Sequence, residues 1–152
     1  MCIVCFTPNN FYFKALAVGK DIVYSLVYLS GRNEYLIMAK SRVSDICTNL
    51  QHSLDISIVE FCRGSDLIEC HYEGLSFKES PSVIKPVLLA EFVTDVSGSG
   101  LVHLAPDYGT EDFDLCRSFG IEPNESDYLD DYGNFTKAAP AFLVGMNIFS
   151  GA

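Results

Sequence analysis

The groups best suited to chemistry are concentrated in one stretch, Gly98-Ser-Gly-Leu-Val-His-Leu-Ala-Pro-Asp-Tyr-Gly-Thr-Glu-Asp112. His103 sits in an apolar run that reads as a strand. Asp112 falls in the first turn of the helix expected to follow it. Glycines on either side of the strand let backbone approach a ligand closely. A helix start offers free N–H groups and the positive end of the helix dipole, a setting that suits a carboxylate able to hold a cation such as a substrate ammonium. Both residues also have a structural reading, since an aspartate at a helix start can serve as a cap and a histidine in a strand can belong to the core.

Other chemistries lack their residues. Gly98-x-Gly100-x-x-His103 is missing the third glycine of a dinucleotide loop. Asp95-Val-Ser-Gly has one residue too many for an aspartic-protease turn, and no second copy exists. There is no G-x-S-x-G, which argues against a serine hydrolase. Cys2-Ile-Val-Cys5 is a lone C-x-x-C, and zinc needs two further ligands that no second such motif or paired histidine supplies. No metal and no cofactor are expected. The six cysteines, at positions 2, 5, 47, 62, 70 and 116, form no disulfide framework, so reduced and mostly buried thiols are expected.

A chain of 152 residues, 49% hydrophobic and 20% charged, makes one ordinary domain with a real core. No apolar run approaches the roughly 20 residues of a membrane helix. Residues 1–6 lack a signal-peptide pattern, so a soluble cytoplasmic protein is expected. Ten basic against 20 acidic residues give a formal net charge of −10, which makes the chain a poor nucleic-acid binder on its own.

The elements that must position His103 and Asp112 read as short strands with two helical interruptions. Strands are expected over residues 2–6, 15–18, 22–29 and 34–39, the later ones forming a meander. Val43, Ile46, Cys47 and Leu50 share one helix face, with Ser41 as N-cap. Strands follow at 56–62, at a short piece to about residue 75, at 87–94 and at 101–105. Arg63-Gly-Ser-Asp66 reads as a turn and residues 78–86 as a loop with two prolines. A helix starts near Thr110, carries Phe113, Cys116 and Phe119, and stops at Gly120. Asp130-Asp-Tyr-Gly133 reads as a turn. The fold class is a single mostly β domain, a small barrel with short peripheral helices.

The stretch Gly98-Ser-Gly-Leu-Val-His-Leu-Ala-Pro…Gly109-Thr-Glu-Asp112-Phe is similar to the editing signature of isoleucyl-tRNA synthetases, G-T-G-x-V-H-x-A-P-x-x-G-x-[DE]-D-[YF]. Thr7-Pro8 and Ala15-Leu-Ala-Val18 resemble that family's threonine-rich stretch and the strand after it. Phe61-Cys-Arg-Gly-Ser-Asp-Leu67 resembles F-K-G-S-x-L, and Asp130-Asp-Tyr-Gly-Asn-Phe-Thr136 resembles D-x-x-G-x-F-T. The likeness runs in order along nearly the whole chain. It implies the closed β-barrel editing (connective-peptide) domain of a larger class I synthetase. The implied reaction is hydrolysis of valine misattached to isoleucine tRNA. The implied partner is aminoacyl-tRNA, delivered at its 3′ end by the parent enzyme and bound weakly by the domain alone, which would be a monomer. With no His-x-Gly-His and no Lys-Met-Ser-Lys-Ser, this chain cannot itself aminoacylate.

The resemblance also implies roles. Asp112 anchors the α-ammonium of the misattached amino acid, and His103 lines the side-chain pocket. Thr7 positions the ester and the attacking water. Cys5, Phe6 and Gly100 complete the substrate-binding set, with backbone N–H groups near residues 5–7 and 98–100 as candidate oxyanion donors. The departures lie on one wall. The family's first two threonines are Cys5 and Phe6, its tryptophan is Asn9, its next threonine Asn10, and its asparagine is lost near Phe13. An editing remnant without turnover, acting as a structural or tRNA-contacting module, is the alternative this wall raises. Thr7, His103 and Asp112 are expected to converge on one cleft with Phe6 buried away from it.

Overall fold

A computed structural model describes residues 13–49, 55–73, 84–123, 128–139 and 141–149. The sequence reading has one domain over 1–152. The structure divides into two compact units, Met1–Glu122 and Pro123–Ala152. The strand expected over residues 2–6 lies outside the described residues.

The first unit is mostly β. Strand β1 (Ala15–Val18) is buried along its whole length. It is flanked by β6 (Ile84–Leu89), which runs parallel to it with Leu16 beside Val87, and by β7 (Leu101–Leu104), which runs antiparallel with Leu16 beside His103. Strand β5 (His71–Glu73) closes the order β5-β6-β1-β7. An apolar strand this short suits a central position because both its faces are covered. Leu16 and Val18 join Val87, Leu101 and Tyr24 on one face. Ala15 and Ala17 meet Leu88, Leu104 and Cys116 on the other. Cys116 belongs to α3 (Thr110–Ser118), and the two alanines leave room for that helix against the sheet. Each buried leucine or valine contributes about 1.5–3 kcal/mol.

The second sheet has the order β3-β2-β4, from β2 (Val23–Leu29), β3 (Glu34–Ala39) and β4 (Ile56–Arg63). Val27, Leu29, Leu36 and Met38 form a cluster covered by Val43 and Ile46 of α1 (Val43–Asn49).

Among the described residues the strands make two sheets, and no ladder closes them into the barrel expected from sequence. The chain turns at Gly19, where the Ile22 N–H donates to the Gly19 carbonyl (3.2 Å), and β2 leaves β1 to pair with β3 and β4. Contact at glycines joins the sheets. A Cβ on Gly64 would collide with the Gly19 carbonyl oxygen. Gly100 has φ +76°, and a Cβ there would lie 2.5 Å from Ala39 Cβ. The Tyr24 hydroxyl, buried between the sheets, accepts from Gly19 N–H (3.0 Å) and donates to the Gly100 carbonyl (2.7 Å).

Three local expectations shift. Ser41 does not cap α1. It lies in a 3-10 turn (Lys40–Arg42), and its hydroxyl contacts the carboxylate and backbone carbonyl of Asp95, both at 2.9 Å. The strand expected over 87–94 runs instead over Ile84–Leu89, because Lys85 and Pro86 pair with Tyr72 and His71. The turn at 63–66 contains a short helix, α2 (Gly64–Leu67), whose Asp66 carboxylate accepts from Arg63 N–H at 2.8 Å.

In the second unit, the Asp130 turn is present, with Gly133 N–H donating to the Asp130 carbonyl. The Asp130 carboxylate collects Tyr132 N–H, Asn134 N–H and the Asn134 side-chain amide, and the Asn134 bonds hold its pKa below the usual value. Isolated bridges join Leu129 to Phe135 and Asn134 to Asn147.

Candidate functional site

The site is built at the end of β7 that leads into α3. His103 faces Leu16 across the β1–β7 ladder and is half-buried. Phe13 stacks on its imidazole, with ring centroids 4.6 Å apart and planes 24° apart, and Tyr72 tilts against it at 6.1 Å. Burial lowers the His103 pKa, and Lys85 lowers it further, so the ring is neutral at physiological pH. A neutral imidazole between aromatic rings makes a shaped apolar wall, not a cation.

Asp112 reaches back from the first turn of α3, and its Oδ2 accepts the Ala105 N–H at 2.9 Å. Gly109 is the N-cap residue and makes no side-chain cap bond. A Cβ on Gly109 would lie 3.2 Å from Asp112 Oδ2, so the glycine keeps room for the carboxylate. Asp112 is thus tied to a backbone group two residues beyond His103, and strand, loop and helix form one local unit.

The structure sets Gly100 apart from this pair, at the opposite end of β7. The loop before β7 is engaged with the corner after β3: Gly98 O accepts from Arg42 Nε (3.1 Å) and Ser99 O from Ala39 N–H (2.7 Å). Close backbone approach at Gly100 therefore serves the joint between the sheets. Cys5, Phe6 and Thr7 lie outside the described residues, as does their expected convergence with Asp112.

Sequence reasoning missed three contributors to this end of the sheet. Tyr72 and Lys85 arrive through the β5–β6 pairing. Lys14 precedes β1, and its N–H donates to the Leu104 carbonyl at 2.8 Å. Their only signal in the sequence is position beside apolar runs. A cleft of about 1190 Å³ lies elsewhere, at the Val18 end of β1, lined by Lys20, Ile22, Lys40, Ser41, Ala90 and Asp95 among others. It contains none of the motif residues. Among the described residues no group of three or more His, Cys, Asp or Glu side chains is placed to hold a metal ion, and no helix is long and apolar enough to cross a membrane.

No protein-family model matches the chain. It is 39% identical over 149 residues to the isoleucine–tRNA ligase of Rickettsia peacockii, covering 93% of this chain and 12% of that protein. It is 33% identical over 144 residues to the cytoplasmic isoleucine–tRNA ligase of Saccharomyces cerevisiae, covering 89% and 13%. It is 31% identical to the isoleucine–tRNA ligase of Aquifex pyrophilus, covering 88% and 26%. The chain thus spans about a quarter or less of the length of these relatives. Among solved structures it superposes on GlLeuRS-CP1 with TM-score 0.54 and 19% identity, covering 72% of this chain and 44% of the other. The editing domain of the Plasmodium falciparum cytosolic leucyl-tRNA synthetase gives TM-score 0.54 and 9% identity, covering 73% and 43%. These two show the fold.

Proposed function

We propose, for a chain that belongs with the editing segment of the isoleucine–tRNA ligases, that it hydrolyses valine from isoleucine tRNA. The carrying observation is the Asp112 carboxylate fixed by Ala105 N–H beside the strand that bears His103. One carboxylate oxygen is spent on the backbone and the other is left to take the substrate ammonium. His103, neutral and stacked on Phe13, bounds the pocket for the amino-acid side chain. Hydrophobic discrimination of one methylene, for which isoleucine–tRNA ligases are themselves the familiar worked case, is worth only about 1–3 kcal/mol, so a second site that admits the smaller residue corrects the error. An aminoacyl ester is already activated, so hydrolysis requires a placed water and donors to the developing oxyanion. Thr7 and the backbone N–H groups around it are assigned that part. No metal or other cofactor is assigned to the domain.

In this reading the chain is one domain of a larger class I synthetase of the cytoplasm, monomeric on its own, and the parent enzyme delivers the tRNA. The altered wall at Cys5, Phe6 and Phe13 favours one alternative, a domain that keeps the fold and has lost turnover. Incubation of the chain with valyl-tRNA specific for isoleucine separates the two. Deacylation above the spontaneous rate, faster than that of isoleucyl-tRNA, is expected. A rate equal to the spontaneous one leaves the remnant.

A further inference from the structure

Lys14 and Lys85 stand together at the end of the four-stranded sheet. The parallel register that sets Leu16 beside Val87, extended two residues back beyond the start of β1, brings Lys14 to the level of Lys85, whose pKa is lowered by burial and next by the Lys14 charge, and Lys85 is opposite Tyr72 on its other side. Tyr72 in turn contacts the His103 ring. Lys85 is half-buried, and neither lysine has a carboxylate within ion-pair distance among the described residues, although acidic residues outnumber basic ones 20 to 10. Like charges side by side on neighbouring strands destabilise a sheet unless an anion lies between them. The Asp112 carboxylate accepts the Ala105 N–H and forms no ion pair with either lysine among the described residues.

We propose that Lys14 and Lys85 form a phosphate subsite that takes the phosphate of the 3′-terminal nucleotide of the tRNA, beside the aromatic wall of Phe13, His103 and Tyr72. The proposal rests on the editing reading for the identity of its ligand. It also reconciles a chain of net charge −10 with an RNA substrate, since two lysines that pair with no carboxylate among the described residues attract a phosphate that a net negative chain repels. Burial, and next the neighbouring Lys14, lower the pKa of Lys85, as they would for an ammonium whose counter-ion has yet to arrive.

The test compares two substrates, the 3′-valyl ester of the trinucleotide CCA and 3′-valyl-adenosine, which has no phosphate. K85M keeps the aliphatic stem and removes the charge. It is expected to reduce the preference in kcat/KM for the trinucleotide ester by about fivefold at low salt, and to lower the salt slope of that preference by about 0.7, the value for one phosphate contact on a single strand. K85R is expected to restore both. A preference unchanged in K85M, or the same loss on both esters, overturns the phosphate subsite. If the unsubstituted chain hydrolyses neither ester, the editing reading fails on its own. Titration of the chain with uncharged CCA, followed by amide shifts in NMR, then decides the subsite. Binding weakened by K85M and restored by K85R supports it, and no binding, or equal binding by both variants, overturns it.

Discussion

Asp112 is the residue at which fold and function separate most cleanly. Its Oδ2 holds the Ala105 N–H at 2.9 Å, and Ala105 is itself buried, so Asp112→Ala leaves a buried donor without its acceptor. A bond to a charged group is worth about 1.5–3 kcal/mol, and the half-exposed position of Asp112 puts the loss near the lower end, about 1–2 kcal/mol. For a chain of this size that lowers Tm by about 2–8 °C. Asp112→Asn keeps an oxygen that can accept from Ala105 and loses the charge. Its stability should therefore lie within about 1 kcal/mol of the parent chain. Its kcat/KM for valyl-tRNA should fall by roughly 30- to 1000-fold, which corresponds to loss of about 2–4 kcal/mol of ammonium binding. Urea unfolding followed by circular dichroism gives the first quantity, and deacylation of radiolabelled valyl-tRNA the second. An Asn variant that hydrolyses at the parent rate would refute the anchoring role and leave Asp112 as a structural tie between β7 and α3.

Tyr24→Phe removes the bonds to Gly19 and Gly100 that pin the two sheets, and should cost about 2–3 kcal/mol in urea unfolding; a loss under about 0.5 kcal/mol would show that the hydroxyl does not clamp them. The folded state binds a proton on His103 less tightly than the unfolded chain, because burial and then Lys85 lower its pKa from 6.5. The stability tied to this residue is therefore complete above about pH 6.5 and is lost as the pH falls through the lowered value, and His103→Gln should flatten the decline between pH 7.5 and 5.5. Parallel stability curves for the two proteins would contradict that account. Burial, with Asp112 next, pushes the Cys116 thiol up to about 11. At pH 8 roughly one molecule in a thousand carries the thiolate, so peptide mapping should find Cys116 unalkylated by iodoacetamide in the native chain and modified once urea is added; rapid native alkylation would place the thiol at the surface.

The parts of this molecule legible in sequence are those decided within a few residues. Strands β1 and β3 have the bounds their apolar runs suggest, and α3 starts at Thr110 and ends before Gly120, whose φ of +70° is the conformation glycine adopts most easily. His103 and Asp112 were legible for the same reason, since strand, loop and first helical turn are contiguous and one backbone hydrogen bond closes the unit. Whatever depends on pairing between distant segments was not. Local pattern contains nothing that sets Leu16 beside Val87, so the partition of the described strands into two sheets was not legible, and the closed barrel expected from sequence is not seen among them. Pro86 reads locally as a breaker, yet pairing with His71 holds it in β6. Ser41 has the side chain of a cap, yet Asp95, distant in sequence, claims its hydroxyl.

The same division runs through the site. The motif supplies the carboxylate and the imidazole from one short segment. The neighbours of the imidazole come from β5, β6 and the residues just before β1, which bring Tyr72, Lys85 and Phe13 to the His103 side of the sheet. A substitution in the motif can be judged by reading it, whereas one in the walls changes shape and charge at a place the motif does not mention. Phe13 is the instructive case. The family resemblance puts an asparagine near it, and the structure puts a phenyl ring flat against the imidazole. Under the proposed function, in which His103 bounds the side-chain pocket, a ring in that position adds apolar area where the family has a hydrogen-bonding group, which favours an aliphatic side chain over a hydroxylated one of equal size. Phe13→Asn should therefore narrow the difference in deacylation rate between valyl- and threonyl-tRNA by about 1 kcal/mol, roughly fivefold. An unchanged ratio, with Asp112→Asn still inactive, would place the amino-acid side chain on the far side of His103 from Phe13.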